Sequence, residues 1–288
     1  MLKVAVRGEL CDLVSRLRFG CGVSSLDSRL FAQLFSLSAT VSEEVSRFFS
    51  CITEVYSWFG HSQPEVGANL HLLVPWRVHS WAFFSGQEDC HVSTYYLHCV
   101  GIDEQRCPSL LLEKEERVWL DCYWKYWERR PSPRVLVMHP GSGGQKKRWA
   151  SEGFIQVARW WREDKKGEVL ILLGPAEEQE ESRWQRIGKV EKNLSLWQAA
   201  ALLSRADLYI GNDSGISHLA GAVGARGVVV FGPTRTRQWR PLGGRLSVIQ
   251  NVSYRAAMPD VPGISLAEVS WEQILAALVC QGGCGQLS

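Results

Sequence analysis

The most informative segment of the sequence runs from Ala206 to Thr234 and reads ADLYIGNDSGISHLAGAVGARGVVVFGPT. An apolar stretch leads into a turn of small and polar residues, a nearly uncharged helix follows, and a second apolar stretch closes the unit. A strand, a helix and a strand in this order predict parallel pairing. The polar turn, Asn212–Gly215, then lies at the carboxyl end of a strand, where parallel sheets bind ligands.

The rest of the second half continues this alternation. Apolar runs predict strands in RVLVMHPGSGG (Arg134–Gly144), EVLILLGPAEEQEE and LSVIQ. Helical spacing predicts helices in SEGFIQVARWWRED (Ser151–Asp164), SLWQAAALLSRA and SLAEVSWEQILAALVC. The last two open with capping boxes, Ser195 with Gln198 and Ser265 with Glu268. The pattern predicts an α/β domain whose parallel sheet is covered by helices on both faces.

The first half alternates less regularly. Its predicted strands are Lys3–Val6, Ile52–Trp58 and Leu70–Val74, and its predicted helices are Leu10–Leu17, Ser42–Phe49, His91–Val100 and Glu113–Arg129. The charged, proline-bearing stretch RRPSPR (Arg129–Arg134) is the predicted link between domains. The predicted domains are therefore residues 1–130 and 134–288.

Composition excludes several classes of protein. With 45% hydrophobic and 22% charged residues the chain is typical of a soluble globular protein, and its net charge of +2 is too small to indicate nucleic-acid binding. Nine scattered cysteines, without paired metal spacing, argue against a disulfide framework or a zinc site. There is no apolar stretch long enough for a membrane span and no signal peptide, so we expect a cytoplasmic protein.

The polar turn has the composition of an anion site. Ser214 and Gly215 can offer backbone N–H groups at the positive end of the helix, and the missing Cβ of Gly215 lets a phosphate approach closely. Asp213 suits a helix cap or an acceptor for a sugar hydroxyl, and His218, one helical turn after Ser214, can donate to a phosphate or leaving group. An ordinary capped helix with a packed histidine remains the alternative.

Other loops at the same predicted edge carry matching chemistry. The glycine-rich loop after His139 leads to Lys146, Lys147 and Arg148, and Glu177, with Glu178 as a rival, follows a strand as ribose-binding carboxylates do. Four arginines, which suit phosphates, follow the last strand of the opening segment: Arg235, Arg237, Arg240 and Arg245. Solvated basic loops and a helix-start acid are the alternatives. Together these loops predict a nucleoside diphosphate site, and the absence of Walker A, G-x-G-x-x-G and Asp-x-Asp sequences disfavours ATPases, dinucleotide enzymes and a metal-bridged diphosphate.

At these residues the sequence resembles the heptosyltransferases of lipopolysaccharide core synthesis, glycosyltransferase family nine. The D-[ST]-G-x-x-H motif of that family is matched by Asp213, Ser214, Gly215 and His218. Its P-G-rich loop with K-x-W is matched by Pro140, Gly141, Lys147 and Trp149, and its G-P-T loop by Gly232, Pro233 and Thr234. The resemblance covers at least Val135–Ile249.

The resemblance implies a GT-B fold, in which two Rossmann-like domains with parallel sheets face each other across a cleft. It implies metal-independent, inverting transfer of a heptose or similar sugar from an ADP-sugar to the lipid-linked core acceptor, with no cofactor and with peripheral contact at the inner membrane. Ser214, Gly215 and His218 would hold the diphosphate, and Lys147 would neutralise its charge. Asp213 would bind a sugar hydroxyl and Glu177 the ribose, and Gly141 and Thr234 would contact the donor.

The sequence departs from the family at its amino terminus. The general base of the family lies in a G-x-x-G-D turn after the first strand, and the nearest match is Gly8–Asp12, with Cys11 in place of the second glycine. Leu2–Val6 then corresponds to the second strand, so the amino-terminal domain is expected to be incomplete and Asp12 is the candidate base. Two alternatives stay open: a non-catalytic sugar-nucleotide-binding protein, and an epimerase-like GT-B enzyme acting on UDP-N-acetylglucosamine.

Overall fold

The computed structural model describes residues 2–17, 22–36, 42–127, 134–250 and 269–282. The chain divides into two compact units, Met1–Gln105 and Arg106–Ser288.

The second unit is built on a six-stranded sheet in which every strand pair is parallel. Its strands are β5 Val135–His139, β6 Glu168–Leu173, β7 Lys189–Lys192, β8 Leu208–Asn212, β9 Arg226–Phe231 and β10 Arg245–Gln250. The spatial order is β10-β9-β8-β5-β6-β7, so the winding direction reverses between β5 and β8. This is the doubly wound order of nucleotide-binding domains, and the reversal, called the switch point below, is where they bind ligands.

The core of this unit follows from the composition of its central strands. β5 and β8 are buried at every residue, and β6 and β9 at every residue but the first. Strands that are covered on both faces need continuous apolar runs rather than alternation, and these four have them. At the edges of the sheet, β7 and β10 contain no fully buried residue.

Helices of the second unit cover the sheet. They are α6 Lys114–Trp127, α7 Ser151–Asp164, α8 Glu181–Gln185, α9 Leu196–Ser204, α10 Gly215–Ala222, α11 Thr236–Trp239 and α12 Trp271–Gly282. The capping box of Ser195 and Gln198 opens α9 as predicted. The box predicted at Ser265 and Glu268 lies outside the described residues. Instead, α12 opens with reciprocal hydrogen bonds between Ser270 and Gln273, which form a capping box.

The first unit contains two parallel strand pairs, β1 with β2 and β3 with β4. The strands are β1 Lys3–Val6, β2 Gly22–Ser25, β3 Val55–Ser57 and β4 Val78–Ser80, and the helices are α1 Cys11–Ser15, α2 Arg29–Ala32, α3 Glu43–Phe49, α4 Pro64–Leu73 and α5 Val92–Cys99. The strand predicted at Leu70–Val74 is wrong. This apolar run is the end of α4, which begins with a proline in its first turn and buries Val66 and Leu70, one helical turn apart.

The division between the units precedes the predicted link. Helix α6 was predicted in residues 1–130, whereas the structure groups it with the second unit, where it packs against α9. Tyr123 of α6 donates a hydrogen bond of 3.0 Å to Glu191 of β7, and Lys189 lies over the Tyr123 ring. Tyr123 therefore packs α6 against the edge of the sheet. Most of the predicted link itself lies outside the described residues.

Candidate functional site

The candidate site is formed by the loops that follow β5, β6, β8 and β9, at the carboxyl ends of the strands. Asn212, the last residue of β8, connects the two loops on either side of the switch point and is fully buried. Its side-chain nitrogen Nδ2 donates to the backbone carbonyl of Pro140 at 2.7 Å, and its side-chain oxygen Oδ1 accepts from the backbone N–H of Trp149 at 3.0 Å. Because a buried amide must find partners for its polar atoms, Asn212 fixes the path of the glycine-rich loop beside the polar turn.

A second connection joins the same loops through side chains of opposite charge. Lys147 donates from Nζ to Oδ2 of Asp213 at 2.8 Å, and Ser142 donates from its hydroxyl to the backbone carbonyl of Asp213 at 2.7 Å. The Asp213 side chain is almost entirely buried, whereas 38% of the Lys147 side chain remains accessible. Asp213 therefore holds a cation at the surface of the site, next to the start of α10.

The start of α10 has the geometry of an anion site. Ser214 is the N-cap, and its hydroxyl accepts from the backbone N–H of Ser217 at 3.4 Å. Among the described residues, the backbone N–H groups of Gly215 and Ile216 have no hydrogen-bond partner. Gly215 is exposed, and a Cβ built on it would meet no atom within 4 Å. Open donors at the positive end of a helix are the groups that bind phosphate oxygens.

A buried hydrogen-bond chain lies directly behind these donors. Ser217 donates its hydroxyl hydrogen to the carbonyl of Asn212, so Tyr209 is the donor in the 2.8 Å contact between the two hydroxyl groups. Burial raises the pKa of Tyr209, which keeps the phenol protonated as this arrangement requires. Gly211 carries no side chain because a Cβ there would collide with the Tyr209 hydroxyl. The chain fixes the first turn of α10 against β8.

A largely buried ion pair joins the loop after β6 to the glycine-rich loop after β5. Glu177 Oε1 lies 2.7 Å from Nη2 of Arg148, and Oε2 accepts from the backbone N–H of Gly174 at 3.1 Å. Burial raises the pKa of Glu177, opposed by the Arg148 charge and by the backbone hydrogen bond to Gly174. A Cβ on Gly141 would lie 2.5 Å from the Glu177 carboxyl, so the glycine makes room for this carboxylate.

His139 connects β5 to β6 on the other side of the switch point. It is the last residue of β5, is almost wholly buried, and its Nδ1 donates to the carbonyl of Leu172 at 2.8 Å. Burial, aided by the nearby charge of Arg148, lowers its pKa to about 4. The ring is therefore neutral at pH 7, with the hydrogen on Nδ1, because a carbonyl can only accept.

With this geometry in place, comparison with known proteins identifies the family. The model of glycosyltransferase family 9 (heptosyltransferase) matches residues 103–262, more than half of the chain. The chain belongs to glycosyltransferase family 9. By family it is therefore a glycosyltransferase, as the resemblance implied. No curated protein matches the sequence.

Solved structures of a family 9 glycosyltransferase and of two heptosyltransferases share the fold. A family 9 glycosyltransferase from Veillonella parvula is 16% identical with a TM-score of 0.74, over 96% of this chain and 86% of that one. Escherichia coli ADP-heptose lipopolysaccharide heptosyltransferase II is 15% identical with a TM-score of 0.69, over 98% and 89%. E. coli heptosyltransferase WaaC with ADP is 14% identical with a TM-score of 0.54, over 96% and 98%. The predicted α/β, GT-B fold class is confirmed.

Two of the three family 9 motifs meet at the switch point, the P-G-rich loop and the D-[ST]-G-x-x-H turn. Lys147 contacts Asp213, and both lie beside Ser214 and Gly215 in the fold. His218 is half-buried one helical turn into α10. The backbone carbonyls of Thr234 and Gly232 accept hydrogen bonds from the Gln250 side chain, which fixes the G-P-T loop between β9 and β10.

Glu177 contacts Gly141 and Arg148 rather than extending into solvent, and its ribose role stays a prediction. The side chain of its rival Glu178 lies outside the described residues. Asp12, the candidate base of the first unit, forms an ion pair with Arg16 one turn later in the chain, and its role also stays a prediction.

Several residues of the candidate site make contacts that were not predicted from the sequence. Trp149 was read only as part of the motif, yet its indole donates to the carbonyl of Val269 and its ring is buried in the core. Asn212, Arg148 and His139 act through long-range partners that no local pattern reveals. The buried hydrogen bonds of Asn212 and His139 could have been predicted, because a polar residue at the end of an otherwise apolar strand must find a buried partner.

The described residues contain no group of three or more His, Cys, Asp or Glu side chains placed to hold a metal ion. None of the helices in the described ranges combines the length and the hydrophobicity that a membrane span needs.

Proposed function

We propose that this family 9 chain transfers a heptose or a similar sugar from an ADP-sugar to the inner core of lipopolysaccharide, with inversion and without a metal. The observation that carries the proposal is the start of α10 at the switch point, where two backbone N–H groups are open and Lys147 lies at the adjoining loop. A diphosphate needs such donors and a cation together. Two of the structural neighbours are described as an ADP-heptose enzyme and as an ADP complex, which supports the choice of donor.

In the proposed reaction the diphosphate is the leaving group. The acceptor hydroxyl oxygen attacks the anomeric carbon of the heptose from the face opposite the diphosphate, and the bond from that carbon to the diphosphate oxygen breaks with its electron pair. ADP leaves with this additional negative charge, and one displacement inverts the anomeric centre. The open N–H groups of α10 and the ammonium of Lys147 stabilise the charge as it develops.

The acceptor proton passes to a general base, for which a carboxylate is the usual choice. Asp12 is our candidate. It lies in the first turn of α1 with about half of its side chain accessible. The acceptor is lipid-linked, so the proposal includes peripheral contact of a cytoplasmic protein with the inner membrane.

The test of the donor site uses Ser214→Asp with Ser214→Asn as its matched control. Both replacements cap helices well and have similar size, so α10 is preserved, but only aspartate adds a negative charge beside the diphosphate. We expect ADP to raise the unfolding temperature of the wild type and of Ser214→Asn, and not of Ser214→Asp. Equal protection of both variants would remove the diphosphate from this helix.

A second measurement separates transfer from binding. Incubation with ADP-heptose and a heptose-deficient core acceptor should release ADP and extend the acceptor by one sugar. ADP binding without product would favour the non-catalytic protein, and turnover of UDP-N-acetylglucosamine would favour the epimerase-like enzyme. Because the proposed reaction needs no metal, we expect a metal chelator to leave the transfer activity unchanged.

A further inference from the structure

We propose that Arg148 is a positioning residue that holds Glu177 ionised and oriented for the ribose hydroxyls of the donor. The inference rests on the proposed function, since it assigns a task to a residue beside the proposed nucleotide site. Arg148 itself touches no reacting atom.

Arg148 connects two loops of the candidate site. The Arg148 guanidinium donates from Nε and Nη2 to the carbonyl of Ser142, at 3.2 and 3.0 Å, and Nη2 also lies 2.7 Å from Glu177. One planar group thereby joins the glycine-rich loop after β5 to the carboxylate after β6. A lysine has a single nitrogen and cannot reproduce this fork.

Lys147, the cation next to Arg148 in the chain, contacts a different loop. Lys147 and Arg148 are adjacent, and Arg148 has extended backbone angles (φ −94°, ψ 123°). Lys147 reaches the loop after β8 through Asp213, whereas Arg148 reaches the loop after β6 through Glu177. The adjacent cations therefore connect the loops on both sides of the glycine-rich loop. Only Lys147 has much of its side chain accessible, so Arg148 is suited to support and not to phosphate contact.

The charge of Arg148 favours the ionised form of Glu177. Burial alone favours a neutral Glu177, which would weaken it as an acceptor from hydroxyl groups. The groups that face this carboxylate are Arg148, which favours ionisation, Glu180, which opposes it, and the backbone N–H groups of Gly174 and Ser142, which favour it. His139, on which the Arg148 charge also acts, is neutral, and among the groups that act on Glu177 the cation is Arg148. Removing it leaves a buried carboxylate without a counter-ion.

The test compares the affinities of ADP and 2′,3′-dideoxy-ADP, measured by calorimetry from about pH 6 to about pH 9. The ratio of the two dissociation constants isolates the ribose hydroxyls, because the titration of the diphosphate affects both ligands equally. We expect the wild type to prefer ADP by about tenfold, the amount that hydrogen bonds to a charged group supply. In Arg148→Gln we expect the preference to fall at least about threefold near pH 7, and to be weaker at the acid end of the range than at the alkaline end, because loss of the Arg148 charge raises the pKa of Glu177 further.

Three further variants complete the experiment. Glu177→Gln should lose the preference at every pH, and adding Arg148→Gln to it should cause no further loss. Arg148→Lys should retain the wild-type pH profile with a reduced preference, because it keeps the charge and loses the fork. Arg159→Gln, which removes an exposed arginine of α7, is the control for net charge and should behave as the wild type.

The outcomes distinguish the two proposals. A preference in Arg148→Gln equal to the wild type throughout the pH range, or additive losses in the double variant, overturns the role of Arg148. A wild type that binds both nucleotides equally well overturns it also, while the diphosphate site stands. Failure of the folded wild type to bind ADP overturns the proposed function and this inference with it.

Discussion

Lys147 and Asp213 form an ion pair across the switch point, with Nζ 2.8 Å from Oδ2. Each residue belongs to a different motif of the sequence, and the two loops meet only because β5 and β8 are neighbours in the sheet. The pair places a partly accessible cation next to the open N–H groups of α10. A bound diphosphate would share this cation with Asp213.

Replacement of Lys147 tests that arrangement. In Lys147→Ala we expect the affinity for ADP to fall by about tenfold or more, because a charge-assisted contact to phosphate is lost. Calorimetric titration of the folded variant measures the effect. Lys146→Ala removes an exposed neighbouring charge and should bind ADP nearly as the wild type does. An unaltered affinity in Lys147→Ala would take this residue out of the donor site.

Gly141 is expected to tolerate no side chain. In Gly141→Ala the added Cβ would lie 2.5 Å from the carboxyl of Glu177, so the loop or the ion pair with Arg148 must move. We expect a loss of about 1–3 kcal/mol in the free energy of unfolding, typical of overpacking, measured by urea denaturation.

Gly143→Ala is the matched control for that substitution. It lies in the same loop, and a Cβ there would meet no atom within 4 Å. We expect its free energy of unfolding to change by less than about 0.5 kcal/mol or to increase, since alanine restricts the unfolded chain. Equal effects of the two alanines would contradict the close approach of Gly141 and Glu177.

Trp149 should contribute both a hydrogen bond and buried surface. Trp149→Phe keeps most of the ring but loses the indole N–H bond to Val269, which should cost about 1 kcal/mol. Trp149→Ala should cost about 3–5 kcal/mol, because it empties a core site. Trp76→Phe, at a tryptophan that is 91% exposed, is the control and should leave the denaturation midpoint unchanged. If Trp149→Ala lowered the free energy of unfolding by no more than Trp149→Phe does, the ring would not be anchored in the core.

His139 should make the protein sensitive to acid. Its pKa is lowered from 6.5 to about 4 in the folded state. Between about pH 6.5 and pH 4 this histidine is therefore protonated in the unfolded chain and neutral in the folded one. The free energy of unfolding should therefore decrease as the pH falls, by up to about 1.4 kcal/mol per pH unit, and level off near pH 4. Glu177 acts in the opposite sense, because its raised pKa favours the folded state as the carboxyl becomes protonated.

Comparison with His139→Gln isolates this contribution, since both proteins retain Glu177. Denaturation at several pH values should show a smaller acid-induced loss in His139→Gln than in the wild type. His71→Gln, which removes an exposed histidine of α4, should follow the wild-type curve. Parallel curves for wild type and His139→Gln would show that the imidazole is not held neutral.

The sequence predicted more of the secondary structure correctly in the second half of the chain than in the first. The central strands β5, β6, β8 and β9 were predicted because short, continuous apolar runs are typical of strands buried in a parallel sheet. Helix α7 begins and ends at the residues that its helical spacing indicates. In the first unit, Leu70–Val74 was misassigned because a short apolar run fits a strand as well as the end of a helix. The prediction missed β2 and β4, which are each four residues or fewer.

Local sequence patterns were sufficient to predict the alternation of strands and helices, the family motifs and the turn at which α10 begins, because apolar periodicity, capping residues and glycine act over a few neighbours. The contacts of Lys147 with Asp213, of Arg148 with Glu177 and of Asn212 with the glycine-rich loop became visible in the folded chain alone. The partners in these contacts are separated by long stretches of chain, and strand order in the sheet, which no local interaction specifies, brings them together.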